Sequence, residues 1–248
     1  MISIQRQHID QLIALEAHVH YAVPPPSGRA SFVVVRRASP VLFSAPHGAI
    51  TYRNSHRETW HDEDDYTAGM ALLLAELCGT AAIATIWRAD GEDPNYHLES
   101  SSAYKRALGR LVAECGVHCV IDLHGARDAS MPRHQLVDLG TRRDRQSLSP
   151  DRLARLVGRI EDRLGPGTVS HNVFPARVRN RTIAAFCQDT LGISSVQVEL
   201  KSAVRAPRRR VDATAFAKEG PYSAPPECVM GMLQALADFV AELCQIEG

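Results

Sequence analysis

The stretch Val41-Leu-Phe-Ser-Ala-Pro-His47-Gly48 is an apolar run that stops at Pro46 and delivers a histidine into a turn. It reads as a buried strand that ends in a ligand. A second segment of the same build follows downstream, Val117-His-Cys-Val-Ile-Asp122-Leu-His124-Gly125, where a β-branched run again finishes in His-Gly. In an open α/β sheet the ligand crevice lies beyond the carboxyl ends of the strands, which is where both histidines fall. A lone histidine there caps a strand or satisfies a buried carbonyl; two in matched contexts point to one metal site. Glycine after each histidine is expected to let the backbone turn sharply.

The rest of the chain alternates. A weak helical stripe covers residues 5–18, and residues 31–36 and 41–45 read as two strands joined by a Pro-containing turn, an antiparallel pair at one side of the sheet. Residues 50–61 are polar and without period, an active-site loop. From Asp62 the pattern turns helical through Tyr66, Met70, Leu73, Leu74 and Leu77 until Gly79, and the acids Asp62-Glu63-Asp64-Asp65 suit a helix N-terminus. Strands are expected over 81–87, 117–123, 134–140, 168–174 and 193–200, and helices over 98–114, 150–164, 182–191 and 228–246. Such alternation argues for α/β architecture with a mostly parallel sheet covered on both faces. Residues 201–226, rich in Arg and Pro, read as an extended surface excursion.

A chain of 248 residues with 45% hydrophobic content builds one sizeable core, and one domain over 1–248 is expected. Lys plus Arg equals Asp plus Glu, 28 each, so no global field argues for nucleic acid or a membrane surface, and the short cluster Arg205-Ala-Pro-Arg-Arg-Arg210 does not change that. The six cysteines lack C-x-x-C spacing and read as buried thiols of a reducing compartment. No signal-type or membrane-length apolar run is present, so a cytoplasmic location is expected.

A catalytic zinc site commonly needs a third protein ligand. The tetrad at 62–65 can supply it: Glu63 is the first choice, with Asp62, Asp64 and Glu58 behind it. The competing reading is that these acids only charge a helix start. A general base is offered by Val196-Gln-Val-Glu199-Leu200, a strand with its acid at the end, unless Glu199 is merely an exposed edge residue. Asp122, two residues before His124, shares its side of a regular strand, where it either holds the imidazole through a hydrogen bond or caps a loop. His56, His61 and His171 are left unassigned.

The ordered set Ser-Ala-Pro-His47-Gly48, His61-Asp-Glu63-Asp-Asp-Tyr66-Thr67, Asp93-Pro-Asn95, Asp122-Leu-His124-Gly125 and Gln197-Val-Glu199-Leu200 resembles the N-formylglutamate amidohydrolase family. That family is similar in fold to the zinc carboxypeptidases and the aspartoacylase group. The resemblance runs from about Val41 to Arg205. It implies a three-layer α/β/α fold with a mostly parallel mixed sheet, zinc-carboxypeptidase-like, and a zinc-dependent hydrolase cleaving an amide bond of a small N-formyl or N-acyl amino acid. His47 and His124 become zinc ligands, an acid of the 62–65 group the third, and Glu199 the general base. One departure stands out: zinc carboxypeptidases take their acid from H-x-x-E, whereas His47 is followed by Gly48-Ala49-Ile50.

Hydrolysis of this kind calls for a cation at the developing oxyanion, for which Arg53, Arg106 and Arg127 are candidates. A substrate carboxylate calls for a planar guanidinium, and Arg53, Arg179, Arg181 or Arg205 can serve, with Asn95 orienting a polar group. Manganese, iron or cobalt suit the same donors as zinc. A metallopeptidase or poly-γ-glutamate hydrolase is the alternative enzyme, and a noncatalytic binding protein on the same fold the alternative class.

Overall fold

A computed structural model describes residues 2–53, 59–142, 146–176, 181–210 and 223–247. In chain order the elements are α1 (Arg6–Glu16), β1 (Phe32–Val35), β2 (Val41–Ala45), β3 (Thr51–Arg53), β4 (Thr59–His61), α2 (Thr67–Cys78), β5 (Ala81–Thr85), α3 (Ala103–Cys115), β6 (Cys119–Gly125), β7 (Val137–Gly140), α4 (Pro150–Leu164), β8 (Val169–His171), α5 (Ile183–Phe186), β9 (Ser194–Leu200), α6 (Ser202–Arg205) and α7 (Pro226–Glu247). A wider helical turn, Cys187–Leu191, extends α5. Seven strands form one sheet in the order β1-β5-β2-β6-β9-β7-β8, while β3 and β4 make a separate ribbon. The four central strands β5, β2, β6 and β9 run parallel, and antiparallel joins lie at β1 and between β9 and β7.

Strand periodicity decides the layers. Val41, Phe43 and Ala45 of β2 join a core with α1, α2, α4 and α7, whereas Leu42 joins Tyr104, Leu108 and Leu111 of α3 and Phe186 of α5 on the opposite face. Successive side chains of a strand point to opposite faces, so a strand that is apolar throughout requires helices on both. The fold is therefore a mixed α/β sheet flanked by helices, as expected. Parallel strands also place the carboxyl ends of β2, β6 and β9 along one edge, in register: Ser44 pairs with Asp122, and His124 with Glu199.

Several local expectations are corrected. The runs at 31–36 and 41–45 are not a hairpin, because β5 inserts between them and pairs with both. The polar segment after Ile50 supplies the ribbon, with Tyr52 opposite Trp60, and residues 54–58 lie outside the described set. Helix α2 begins only at Thr67, so the acidic tetrad sits in the turn before it, and Tyr66 takes a left-handed conformation at φ 66°. The part of the Arg and Pro rich segment that is described is packed: α6 buries Val204 and Arg205.

The amino end of α2 is satisfied from another helix. Glu16, fully buried at the end of α1, accepts from the Tyr66 amide at 2.7 Å, the Gly69 amide at 2.9 Å and the Tyr21 hydroxyl at 2.5 Å. Burial pushes its carboxyl up to about 7, even though all three donors pull it down. Early amides of a helix have no partner within it, so this carboxylate replaces the side-chain cap that α2 lacks. Glu16→Ala strands these donors and leaves a cavity. We expect it to cost about 3 kcal/mol of unfolding free energy in urea titration, and a change below about 0.5 kcal/mol would show that the cap is idle.

Candidate metal centre

His47 follows the end of β2, His124 lies near the end of β6, and both side chains are buried. The glycines after them do not serve as turn residues, since neither adopts positive φ. They are there for close approach. A Cβ on Gly48 would stand 2.4 Å from the Thr85 carbonyl and 2.5 Å from the Ala68 side chain, and one on Gly125 would stand 2.8 Å from the Arg205 guanidinium. The glycines let α2 and α6 press against the strand ends that carry the ligands.

Each imidazole is tied by one nitrogen to a buried carboxylate. His47 Nε2 is 2.8 Å from Asp93 Oδ1, and His124 Nε2 is 2.9 Å from Asp122 Oδ2. The second bond is the one that the i, i+2 spacing on β6 suggested. A carboxylate at Nε2 keeps the proton there and leaves Nδ1 with its lone pair. Burial alone would lower both imidazole pKa values, but Asp93 at His47 and Asp122 at His124 raise them, so both rings are more basic than ordinary histidine.

The two Nδ1 atoms face one carboxylate oxygen. Asp64 Oδ2 lies 3.5 Å from His47 Nδ1 and 3.3 Å from His124 Nδ1, and among the described residues these three are the group whose donor atoms converge. Zinc bonds of about 2.0–2.1 Å in a tetrahedron imply donor separations of roughly 3.3 Å. Both imidazole-to-carboxylate distances match. His47 Nδ1, moreover, is buried without a hydrogen-bond partner, an arrangement that a cation relieves. Burial raises the Asp64 carboxyl, yet the two histidines facing it hold it well below the usual carboxylate range.

The acid gathered here is thus Asp64, where sequence order favoured Glu63. The reason is the turn: the Asp64 amide donates to the His47 carbonyl at 2.7 Å, and Thr67 Oγ1 donates to the Asp64 carbonyl at 2.6 Å, which fixes Asp64 between the histidines. Glu63 is fully buried beside it and borders the same hollow. Asp62 is paired loosely with Arg127 at 3.9 Å, and Glu58 lies outside the described residues.

The donors open into a hollow of about 590 Å³ that Arg53, Asn95, Arg127, Gln197 and Glu199 also line. Glu199, beside His124 in register, accepts from Gln197 Nε2 at 2.6 Å. Burial pushes its carboxyl up to about 7, although His124 opposes the shift. Arg53 donates through Nε to Asp93 Oδ2 at 2.5 Å, so Asp93 bridges Arg53 and His47. Asn95 is held by the Ile183 amide at 2.8 Å, with its Nδ2 3.0 Å from His124 Nε2.

Other expected residues fall elsewhere. Arg106 is exposed and donates to the Glu99 and Ser100 carbonyls, away from this hollow. Arg205 is wholly buried behind Gly125, where it pairs with the Asp65 carboxylate and donates to the Asp65 and Leu200 carbonyls at 2.8 and 3.0 Å. It braces the ligand turn against the end of β9. Arg181 donates to the Tyr96 carbonyl at 3.1 Å, and Arg179 lies outside the described residues. Two residues that contact His47 had no assignment in the sequence. Asp93 was hidden in Asp-Pro-Asn, which reads as turn chemistry, and His61 stacks on His47 with ring centroids 4.0 Å apart.

A mixed α/β sheet with this edge is a fold already seen among solved structures. The crystal structure of N-formylglutamate amidohydrolase from Ralstonia eutropha JMP134 matches at TM-score 0.58 and 12% identity, covering 89% of this chain and 100% of that one. The structure of gene product Atu2144 from Agrobacterium tumefaciens matches at TM-score 0.53 and 13% identity, covering 89% and 97%. At such identities the likeness is one of fold. No protein-family model matches the sequence, and no curated protein does. No helix among the described residues is long and apolar enough to cross a membrane.

If Asp122 orients His124 toward a metal, Asp122→Asn lowers zinc affinity by about 10–100-fold in calorimetric titration. Unchanged affinity would mean that the bond has no part in ligation.

Proposed function

We propose that this protein is a metal-dependent amidohydrolase that cleaves a small N-formyl or N-acyl amino acid, with His47, Asp64 and His124 holding zinc. The observation that carries the reading is the convergence of two imidazole Nδ1 atoms on Asp64 Oδ2 in a hollow that also holds a buried strand-end carboxylate, Glu199. Two neutral nitrogens and one carboxylate are a common donor set for catalytic zinc, which supplies Lewis acidity toward the carbonyl and a lowered pKa for water.

The chain's own residues then divide the work. Glu199 accepts the proton of the water that attacks the amide carbon and returns it to the departing amine nitrogen, so the C–N bond breaks with a neutral amine leaving. Its burial suits a base whose two protonation states lie close in free energy near neutrality. Gln197 holds the Glu199 carboxylate in place. Arg127, largely exposed at the rim, answers the charge that grows on the carbonyl oxygen, and Arg53 meets a carboxylate on the substrate with the edge of its guanidinium that Asp93 leaves open. Asn95 orients a polar group of the substrate. The fold likeness to an N-formylglutamate amidohydrolase supports this chemistry without naming the acyl group or the amino acid.

The test begins with metal analysis and hydrolysis of N-formyl and N-acetyl amino acids before and after chelation. Activity should vanish with chelator and return with zinc. Glu199→Gln should keep the metal and lower kcat by roughly 10²–10⁴-fold, whereas Asp64→Asn should lose the metal and Glu63→Gln retain it. A metal-loaded wild type that cleaves none of these amides would defeat the proposed reaction.

A further inference from the structure

The hollow has a second character that metal chemistry does not use. Beside its polar floor, it is walled by Trp60, Phe174, Pro175 and Ala176. Trp60 is 48% exposed, a large apolar surface left open to solvent at the mouth. Fixed exposure of this kind, continuous with a polar centre, is the usual make-up of a binding pocket.

Both sides of this wall are held from behind. Trp60 sits on β4 with Tyr52 of β3 across from it at 4.9 Å between ring centroids, and the Arg88 guanidinium lies 5.3 Å from the indole centre. Phe174 follows β8, and its turn is gripped by a fully buried carboxylate. Asp138 Oδ2 accepts from the Phe174 amide at 2.8 Å, and Asp138 Oδ1 accepts from the Val173 amide at 3.1 Å and from Ser170 Oγ at 2.8 Å. Asp138 pairs in register with Glu199, so the strand that carries the base also fixes the strand that grips the Phe174 turn.

Resting on the proposed hydrolase reading, we infer that Trp60 lines a specificity subsite for an apolar, preferably aromatic, substituent of the amide, with Phe174 walling the far side of the same hollow. The strand order sets Trp60 and Phe174 toward opposite ends of the row of strand ends: the ribbon follows β2 and bridges to Ala89 just beyond β5, while Phe174 follows β8. The ligand-bearing ends of β2 and β6 lie between them. A volume of about 590 Å³ corresponds to on the order of twenty waters. A formyl group and a short side chain leave most of it filled with solvent, and an aryl group displaces that water from indole and phenyl faces.

The experiment reads binding, not turnover. Zinc-loaded protein carrying Glu199→Gln to slow turnover and Trp87→Phe, which leaves Trp60 as the one indole, is titrated with N-formylalanine, N-formylphenylalanine and N-benzoylalanine while its fluorescence is followed. Hydrolysis is assayed separately on the wild type. The expected result is that an aryl compound binds roughly ten-fold more tightly than N-formylalanine and perturbs the emission. Trp60→Ala, followed by calorimetry, should erase that preference, leave N-formylalanine affinity within about two-fold, and be partly rescued by Trp60→Phe. Equal affinities for all three compounds, or a preference that survives both Trp60→Ala and Phe174→Ala, would overturn the subsite. Aryl binding without hydrolysis of any compound supports the subsite while removing the reaction, and hydrolysis of N-formylalanine with no aryl preference does the reverse.

Discussion

Two hydrogen bonds decide the direction in which this site faces. Asp93 and Asp122 each accept a hydrogen bond from the Nε2–H of a histidine, and with those nitrogens engaged both imidazoles have only Nδ1 to offer the hollow. Remove either bond and the ring can exchange tautomers or rotate, and the common focus with Asp64 is lost. Asp122 stands on the same strand as its histidine and follows from β geometry alone. Asp93 comes from the loop after β5, so the orientation of His47 depends on correct insertion of β5 between β1 and β2. The sheet order and the ligand tautomer are in this sense one fact.

The acidic turn is held by charge as well as by chain. Asp65 is fully buried against the equally buried Arg205, and the guanidinium also accepts the packing of Gly125. A buried pair is weak evidence for stability, because desolvation offsets much of its attraction, but breaking one partner leaves an uncompensated charge and is costly. What this pair achieves is position. It fastens the residue next to Asp64 to the chain just after β9, and with Glu16 holding the amides of Tyr66 and Gly69 the turn is anchored on both sides. Asp64 can therefore be aimed at two histidines without belonging to a helix or a strand.

How much of this was legible in the sequence follows from which contacts are local. The apolar runs ending at His47 and His124 announced buried parallel strands, and a ligand edge came with them. Glu199 at the end of its strand, and Asp122 two residues before His124, are set by a period of two and were readable for that reason. Which acid of residues 62–65 would face the histidines was not. A run of four acids in a turn has no period, and the left-handed Tyr66 that reverses the chain there carries no sequence signature, since a bulky aromatic is an unusual choice for it. Arg205 read as a candidate for a substrate carboxylate in a basic surface segment because pairing with Asp65, 140 residues earlier, is invisible to any local pattern. A shorter but still non-local separation, Phe32 to Thr85, hid the antiparallel pairing of β1 with β5, which competes with the nearer hairpin and wins because β2 is apolar on both faces and belongs inside the sheet.

Asp93 finally joins the entrance of the hollow to its centre. One of its oxygens meets His47 and the other Arg53, and Arg53 ends the β3 strand whose partner β4 carries Trp60 and His61. The ribbon therefore cannot shift without disturbing a carboxylate that orients a ligand histidine, and His61, stacked on His47, adds a second contact along the same line. Burial and the neighbouring His47 lower the His61 pKa to about 3, so this stack brings no second positive charge to the imidazole beneath it. A ribbon anchored in this way behaves as a wall and not as a loose loop. The geometry of whatever lies against Trp60 is thereby referred, through two hydrogen bonds, to the position of His47.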